Sequence, residues 1–272
     1  MKTNIAFIGG GNMARSIIGG LLANGYENAR IHVSEPYQPV REALANELAL
    51  DVVDDNLKVA TKSQVWLFAV KPQVMKAVCA ELKALAQTQK PLIISIAAGI
   101  TATQLDEWLG GSAAIVRVMP NTPALLGAGA SGLFATNTVN DEQKQTAELI
   151  FQATGLIQWI DEESLIDTVT ALSGSGPAYV FMLAEAMQAA AEKQGLPKAT
   201  AQALAVQTFV GAAKMLSESG ESAEILRQRV TSPNGTTHAA IVQFEQGGLR
   251  ELVQSAMDAA SERGRALSKE ND

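Results

Sequence analysis

Short apolar runs alternate with helix-like stretches along the first half of the chain. Five runs are rich in β-branched residues, are bounded by Gly, Pro or Asn, and predict strands at 5–8, 31–33, 65–70, 92–96 and 115–118. Between them, apolar residues recur at helical spacing over 12–24, 39–48, 73–85 and 103–109. This alternation predicts a parallel sheet with crossover helices, whose strands are buried on both faces. An open sheet of this kind binds ligands beyond the carboxyl ends of its strands.

From about Glu162 onward the strand pattern stops, and Ala, Met, Leu, Gln and Glu predominate, which favours helix. Breaks rich in Gly, Ser and Pro divide this part into about five helices. We therefore predict an α/β domain over 1–161 and an all-α domain over 162–272. Small residues around 184–191 and 199–213 fall on several helix faces. This distribution fits a bundle packed across a dimer interface and equally fits an ordinary monomeric core.

Composition and charge narrow the classes of function. The chain has 272 residues, of which 47% are hydrophobic, so an ordered protein with a sizeable core is expected. The formal net charge is −7, and no basic run could follow a nucleic-acid backbone. A single Cys79 excludes an intramolecular disulfide, and the distant His32 and His238 offer no metal-binding pattern. Without a signal-peptide pattern or an apolar segment of about 20 residues, we expect a soluble cytoplasmic protein.

A glycine-rich segment follows the first predicted strand and opens the first predicted helix. Residues 9–14, Gly-Gly-Gly-Asn-Met-Ala, fit the pattern G-x-G-x-x-A. Gly9 allows a tight turn, Gly11 lets the backbone approach a pyrophosphate, and Ala14 permits close helix packing, while the helix-start amides face the phosphate charge. A plain connecting turn is the alternative. We predict dinucleotide contacts from Gly9, Gly10, Gly11, Asn12 and Met13.

The second predicted strand ends where a dinucleotide's ribose is expected, at Ser34 and Glu35. An acidic side chain here takes the ribose hydroxyls of NAD, and a small or basic one admits the NADP phosphate. Glu35 favours NADH because a carboxylate repels a 2′-phosphate. Ser34 is compatible with NADPH, and Arg41 could swing toward that phosphate. In the alternative interpretation Glu35 points away into solvent, so these residues leave the choice of cofactor open.

Five further segments resemble the pyrroline-5-carboxylate reductase family and span nearly the whole chain. They are Ala69-Val-Lys-Pro72, Ser95-Ile-Ala-Ala-Gly99, Arg117-Val-Met-Pro-Asn-Thr-Pro123, Leu172-Ser-Gly-Ser-Gly-Pro-Ala-Tyr179 and Val230-Thr-Ser-Pro-Asn-Gly-Thr-Thr-His-Ala-Ala240. The resemblance implies an N-terminal Rossmann domain and a C-terminal helical dimerisation domain. It implies reduction of 1-pyrroline-5-carboxylate to L-proline, the last step of proline biosynthesis, with NADPH as cofactor and NADH as the alternative. It also implies a homodimer or a larger homo-oligomer such as a decamer.

The resemblance also assigns residues to the cofactor. It places Asn56 near the adenosine ribose, although Asp54-Asp55-Asn56 also makes an ordinary turn. A general-acid role for Lys71 is less well supported than a side chain that simply reaches solvent. The loop that follows the fifth predicted strand either borders the nicotinamide or merely connects the domains. The segments implied to line the dinucleotide contribute Ala69, Val70, Lys71, Pro72, Ala97, Met119 and Pro120.

Residues 232–237 contain the elements of an anion site. Ser232, Thr236 and Thr237 are capping residue types, Gly235 can take positive φ, and a helix starting here leaves amides unpaired at its positive end. The resemblance implies that Ser232, Gly235, Thr236 and Thr237 hold the substrate carboxylate, with Thr237 as the catalytic residue. The alternative is an N-cap satisfied by its own side chains.

Nearby residues depart from the family's pattern or leave alternatives open. Asn234 stands where many relatives carry glycine, and Asn tolerates positive φ. His238, where an apolar residue is common, is expected to line the first helical turn. Glu163 could face the substrate nitrogen, although an acidic first turn of a helix explains it better.

Two other functions deserve comparison. A β-hydroxyacid dehydrogenase of similar plan would need a catalytic lysine on a helix of the second domain. Lys193 precedes a helix break, and Lys214 lacks the glycine-spaced motif expected before such a lysine. A non-enzymatic dinucleotide sensor would have lost the anion site at 232–237. The reductase fits best, with catalysis that rests mainly on positioning.

Overall fold

The computed structural model describes residues 3–270, which pack into two compact units. The first unit comprises the chain up to Ser175 together with the residues from Ala259 onward, and the second comprises Gly176–Asp258. The first unit thus extends beyond residue 161, where the sequence predicted the domain boundary, and it includes the C-terminal part of the last helix.

The first unit contains one eight-stranded sheet. Its strands are β1 (Ile5–Ile8), β2 (Ile31–Ser34), β3 (Val52–Val53), β4 (Val65–Phe68), β5 (Leu92–Ser95), β6 (Ala114–Met119), β7 (Gly129–Ala135) and β8 (Gly155–Trp159). Their order is β3-β2-β1-β4-β5-β6-β7-β8, and all neighbours pair in parallel except β6 with β7. The first six positions have the strand order of a Rossmann fold, which confirms the predicted fold class.

The five predicted strands all exist, and the central ones are buried on both faces as expected. Every residue of β1, β4 and β5 is buried. Successive side chains alternate between two hydrophobic clusters, with Phe7 and Leu67 in one and Trp66 and Phe68 in the other. Both faces of the sheet are therefore covered, which holds the carboxyl ends of the strands in fixed positions.

Three strands were not predicted, each for a local reason. β3 has only two residues and is recognisable only through its pairing with β2. β7 reads Gly-Ala-Ser-Gly-Leu-Phe-Ala, and small residues of this kind are depleted in strands. β8 lies at the edge of the sheet, where none of its residues is fully buried. Pairing between distant segments, rather than local pattern, forms these strands.

Seven α-helices of the first unit lie between or after the strands. They are α1 (Asn12–Ala23), α2 (Gln38–Leu48), α3 (Asn56–Ala60), α4 (Pro72–Gln89), α5 (Ala102–Leu109), α6 (Asp141–Gln152) and α7 (Ile166–Val169), and a π-helical turn follows over Thr170–Gly174. Their ends obey ordinary capping rules. Thr101 and Gln104 form a capping box before α5, and Asn140 and Gln143 form another before α6.

The second unit is helical, as predicted, and its breaks match the Gly, Ser and Pro positions. Its helices are α8 (Gly176–Lys193), α9 (Lys198–Glu218), α10 (Ala223–Arg229), α11 (Thr236–Gln246) and the first part of α12 (Leu249–Glu270). α8 and α11 contain no buried residue, and Phe181 and Met182 of α8 are each 67% exposed. Within residues 3–270, no helix is long and apolar enough to cross a membrane.

Candidate active site

The ends of four strands bring several predicted cofactor segments to one edge of the sheet. Ile8 at the end of β1 pairs with Ser34 of β2 and with Phe68 of β4, and Phe68 pairs with Ser95 of β5. The segments that follow these strands therefore start side by side. β2 lies on one side of β1 and β4 on the other, so the strand order reverses direction between β1 and β4. Ligands of Rossmann folds bind at this position.

The three glycines after β1 meet different surroundings. Gly9 has φ +98°, and an added Cβ would lie 2.7 Å from the carbonyl oxygen of Ala69. A Cβ on Gly10 would collide with Leu44 Cδ1. A Cβ on Gly11, in contrast, would meet no atom of the described chain within 4 Å. The fold thus requires glycine at Gly9, which faces backbone, whereas at Gly10 the Leu44 side chain would have to shift. The open space at Gly11 fits a bound pyrophosphate.

The start of α1 offers backbone donors to that open space. Gly11 is the N-cap of α1, no side chain caps the helix, and its first turn contains no acidic residue. Asn12 is exposed and Met13 half-buried, while Ala14 is fully buried, as close packing of the helix requires. The free amides at the positive end of α1 suit a phosphate group, so the residues present fit a dinucleotide.

Glu35 reaches back to the glycine turn rather than pointing away into solvent. Its Oε2 accepts a hydrogen bond from the backbone amide of Gly10 at 2.8 Å, and its Oε1 accepts one from the amide of Tyr37 at 2.9 Å. Arg41 donates to the carbonyl oxygen of Glu35 at 2.7 Å. A carboxylate therefore lies next to the position at which a Rossmann fold receives the adenosine ribose.

A chain of hydrogen bonds connects the end of β2 with α4. Ser34 is fully buried, and its hydroxyl donates to Oδ1 of Asn56 at 2.7 Å. Nδ2 of Asn56 donates to Oε2 of Glu81 at 2.9 Å. The structure thus brings together two predicted cofactor residues, Ser34 and Asn56. It adds Glu81, which sequence reasoning missed because no motif marks this residue in the middle of α4.

The Ala69–Pro72 segment connects β4 to α4 directly. The amide of Ala69 donates to the carbonyl oxygen of Ile8 at 2.8 Å, which keeps this segment against the glycine turn. Lys71 is the N-cap of α4, and Pro72 occupies a first-turn position, as predicted. Lys71 is exposed, which agrees with a side chain that reaches solvent.

Local contacts also hold the two predicted cofactor segments at the ends of β5 and β6. After β5, the amide of Ala97 donates to Oγ of Ser95 at 3.4 Å, and Gly99 has φ +71°. After β6, Met119 is half-buried and Pro120 buried. The buried Asn121 fixes this second loop. Its Nδ2 donates to the carbonyl oxygen of Ser173, and its Oδ1 accepts from the amide of Ala130, each at 2.9 Å.

Glu163 is occupied by a structural ion pair. Its Oε1 lies 2.5 Å from the Arg117 guanidinium and accepts from the Ala102 amide, at the start of α5, at 2.6 Å. The Arg117 side chain is only 6% exposed. Burial raises the pKa of the neighbouring Asp167, an effect opposed by the charges of Arg117 and Arg265. A charged residue within the apolar strand β6 was the sequence signal for this pair.

The predicted substrate loop precedes α11 in the second unit. Gly235 is the N-cap of α11 with φ −80°, so it does not use the positive φ that glycine permits. Asn234 takes the left-handed conformation instead, at φ +58°, because Asn tolerates it. A Cβ on Gly235 would lie too close to Oγ of Ser232, so that side chain would have to shift.

The start of α11 is open to an anion. No side chain caps this helix, so the alternative of a self-satisfied N-cap is not what the structure has. Thr236 is exposed and Thr237 half-buried in the first turn. His238 is exposed. Unpaired amides beside two threonine hydroxyls form an arrangement that can hold a carboxylate.

Two family models match the chain. The model described as "Pyrroline-5-carboxylate reductase dimerisation" matches residues 163–267, which include α7 to α11 and most of α12. The model described as "NADP oxidoreductase coenzyme F420-dependent" matches residues 4–99, which include the glycine turn and the strands β1 to β5.

Curated relatives and solved structures match almost the entire chain. A protein named pyrroline-5-carboxylate reductase from Pseudomonas aeruginosa is 51% identical over 269 residues, a match that covers 98% of this chain and 97% of the relative. The structure of a pyrroline-5-carboxylate reductase from Coxiella burnetii has a TM-score of 0.94 and 47% identity, with 98% of this chain and 99% of that one covered. A Plasmodium falciparum pyrroline carboxylate reductase with NADP bound has a TM-score of 0.87 and 28% identity, with 98% of each chain covered.

Proposed function

Because the chain belongs to the pyrroline-5-carboxylate reductase family, we propose that it reduces the C=N bond of 1-pyrroline-5-carboxylate to form L-proline, the last step of proline biosynthesis. The observation that carries this proposal is 51% identity to a reductase of that name across nearly the full length of both chains. The geometry supports it, since the open glycine turn fits a dinucleotide and the uncapped start of α11 fits a carboxylate.

We propose NADPH as the hydride donor, with NADH as the alternative. The NADP-bound relative and the matched NADP oxidoreductase model support NADPH. The position of Glu35 at the glycine turn supports NADH. The predicted contacts remain Gly9, Gly10, Gly11, Asn12, Met13, Ser34, Glu35, Asn56, Ala69, Val70, Lys71, Pro72, Ala97, Met119 and Pro120.

For the substrate, we propose that the start of α11 binds the carboxylate. The amides of Thr236 and Thr237 lie in the first helical turn, where the helix dipole favours negative charge, whereas the amide of Gly235 donates to the carbonyl oxygen of Ser232 at 3.0 Å. The hydroxyls of Ser232 and Thr237 would add two further donors to the same carboxylate. Among Ser232, Thr236 and Thr237, which carry hydroxyls, Thr237 is the half-buried one, which supports its assignment as the catalytic residue.

The chemistry requires positioning more than acid catalysis. A reduced nicotinamide held at the glycine turn would supply the hydride for the imine carbon. A protonated imine already carries the positive charge that takes up the incoming electron pair, so the protein need not provide a strong acid. The role of residues 232–237 is to fix the substrate ring through its carboxylate, since correct orientation can contribute several orders of magnitude in rate.

We further propose that the helical part of the chain forms the oligomer. The matched dimerisation model covers residues 163–267, and large apolar side chains of α8 and α9 are exposed in the single chain. A homodimer is the simplest assembly, and a larger one such as a decamer would be built from dimers. In functional terms, residues 1–161 would bind the dinucleotide, and residues 162–272 would bind the substrate and the second subunit.

Product analysis tests the reaction. Purified protein is incubated with pyrroline-5-carboxylate and reduced cofactor, and the products are identified by mass spectrometry. We expect stoichiometric L-proline. A protein that forms no proline, but oxidises a β-hydroxyacid with the oxidised cofactor, would belong functionally to the competing class.

A further inference from the structure

The adenosine side of the site contains a carboxylate that is not part of the glycine turn or of β2. Ser34 and Glu35 mark the ribose position, because they end the second strand of a Rossmann fold beside the glycine turn. Glu81 of α4 joins this position through Asn56. The inference below rests on the proposed function, since it concerns which dinucleotide the site accepts.

The hydrogen bonds along this chain have a fixed direction. A carboxylate can only accept, so Glu81 draws Nδ2 of Asn56 toward itself. Oδ1 of Asn56 is thereby turned toward Ser34, whose hydroxyl must donate to it. The Ser34 hydrogen is then used within the protein, where the side chain is fully buried, so the half-buried Asn56 is the member of this pair nearer to a ligand.

The charges near Ser34 and Asn56 disfavour a 2′-phosphate. The carboxylate of Glu35 lies at the glycine turn and that of Glu81 accepts from Asn56, so both add negative charge at this end of the sheet. The guanidinium of Arg41 is engaged by the carbonyl oxygens of Glu35 and Pro36 at 2.7 and 3.1 Å. The 2′-phosphate of NADPH adds negative charge here, whereas the 2′-hydroxyl of NADH can donate a hydrogen bond.

We propose that Glu81 is a positioning residue for the cofactor. It fixes the amide orientation of Asn56 and, together with Glu35, keeps the affinity for NADPH below the value that the same site would reach without this carboxylate. Glu81 lies outside the glycine turn and outside the second strand, so it acts on the ribose position through Asn56 rather than from the usual specificity position.

Direct binding tests this proposal independently of turnover. The dissociation constants of NADPH and NADH are measured by calorimetry, without substrate, for the wild type, Glu81→Gln and Glu107→Gln. Glutamine can donate to Asn56, which allows the amide to turn over, and it removes one negative charge near the ribose position. We expect the affinity for NADPH relative to NADH to rise roughly five- to tenfold in Glu81→Gln. Glu107→Gln, which removes an exposed helix carboxylate elsewhere, should leave this ratio unchanged.

Steady-state kinetics provide the second measurement. In Glu81→Gln, the KM for NADPH should fall while kcat and the KM for the imine substrate stay within about twofold of wild type. An unchanged NADPH to NADH ratio would overturn the role of Glu81, and so would an equal loss of affinity for both cofactors, since that indicates a merely structural role. A wild type that binds neither dinucleotide would instead overturn the proposed function itself.

Discussion

At the residue scale, two glycines of the turn after β1 differ in role: Gly9 is needed for the fold, and Gly11 leaves space for a ligand. Gly9 adopts a positive φ and closely approaches Ala69, so its lack of a side chain is needed within the chain itself. Gly11 has φ −66° and open space where a side chain would be. No steric contact within the described chain requires glycine at this second position, although glycine is preferred over alanine at a helix N-cap such as Gly11. We propose that the open space receives the pyrophosphate.

Gly11→Ala should weaken dinucleotide binding more than it weakens folding. The added methyl group meets no atom of the described chain within 4 Å, so only the poorer N-cap preference of alanine acts on folding, and we expect the free energy of unfolding to fall by about 1 kcal/mol or less. Dinucleotide affinity should fall at least tenfold, since the methyl group would occupy the space in which the backbone approaches the phosphates. Denaturant unfolding and calorimetry measure the two quantities.

The control for this variant is Gly19→Ala, in the middle of the same helix. An added Cβ on Gly19 also meets no atom within 4 Å, and this residue is outside the proposed site. It should bind cofactor normally. Equal affinities of Gly11→Ala and Gly19→Ala would show that the glycine turn does not hold the pyrophosphate.

Thr237→Ala tests the substrate site. Loss of the hydroxyl should raise the KM for pyrroline-5-carboxylate and lower kcat, together by roughly tenfold or more in kcat/KM, because a donor to a charged group is removed. Thr237→Ser keeps the hydroxyl and should recover most of the activity. Cofactor affinity should stay the same in both variants. Wild-type kinetics in Thr237→Ala would remove this side chain from the site and leave only its backbone amide.

At the element scale, the sequence predicted those parts of the fold that depend on local pattern. The continuous apolar runs of β1, β4 and β5 are recognisable because both faces of these strands are covered. β7 could not be recognised, since its small residues become a strand only by pairing antiparallel with β6. Short or weakly apolar strands depend on distant partners, which a local pattern does not contain.

The candidate site likewise has a part that the local sequence predicts and a part that depends on distant residues. Backbone positions such as the glycine turn and the start of α4 follow from strand ends and from Pro72. Side-chain networks do not follow from spacing. The bond between Asn56 and Glu81 joins residues 25 positions apart, and the bond between Arg117 and Glu163 joins residues 46 positions apart. Their partners become evident only when the sheet brings the elements together.

The buried ion pair between Arg117 and Glu163 should stabilise the first unit strongly. Glu163→Gln leaves the Arg117 guanidinium buried without its counter-charge, and we expect a loss of about 2–4 kcal/mol in the free energy of unfolding. Denaturant titration measures it. The double variant Arg117→Met with Glu163→Gln should regain part of that loss, because the buried guanidinium is then absent while Asp167 also loses the nearby charge of Arg117.

A surface pair provides the comparison for this variant. Glu27 is 62% exposed and pairs with Arg30, so Glu27→Gln should change the stability little. A Glu163→Gln protein as stable as Glu27→Gln would show that the buried pair is not important for the fold.

At the scale of the whole molecule, the two units differ in how they bury apolar residues. The first unit has clusters of buried side chains on both faces of its sheet. In the second unit, α8 contains no buried residue, although Val180, Phe181, Met182 and Leu183 all belong to it. Such a helix needs a partner surface. The matched dimerisation model supports a second copy of the chain as that partner.

Phe181→Glu should therefore weaken the oligomer. A charge on the exposed apolar side of α8 would have to be buried in the interface, and we expect the native mass measured by light scattering to shift toward that of the monomer. Leu156→Glu, at an exposed position of β8 in the first unit, is the matched control and should keep the wild-type mass. If both variants assemble like the wild type, α8 is not the interface.

The most direct test of the proposed function is the oxidation of NADPH and NADH, followed in parallel by absorbance when pyrroline-5-carboxylate is added to the purified protein. We predict rapid oxidation that depends on the imine, and the ratio of the two rates will show how the carboxylates near Ser34 act on the 2′-phosphate. No oxidation of either cofactor, by a folded protein that still binds dinucleotide, would contradict assignment as a pyrroline-5-carboxylate reductase.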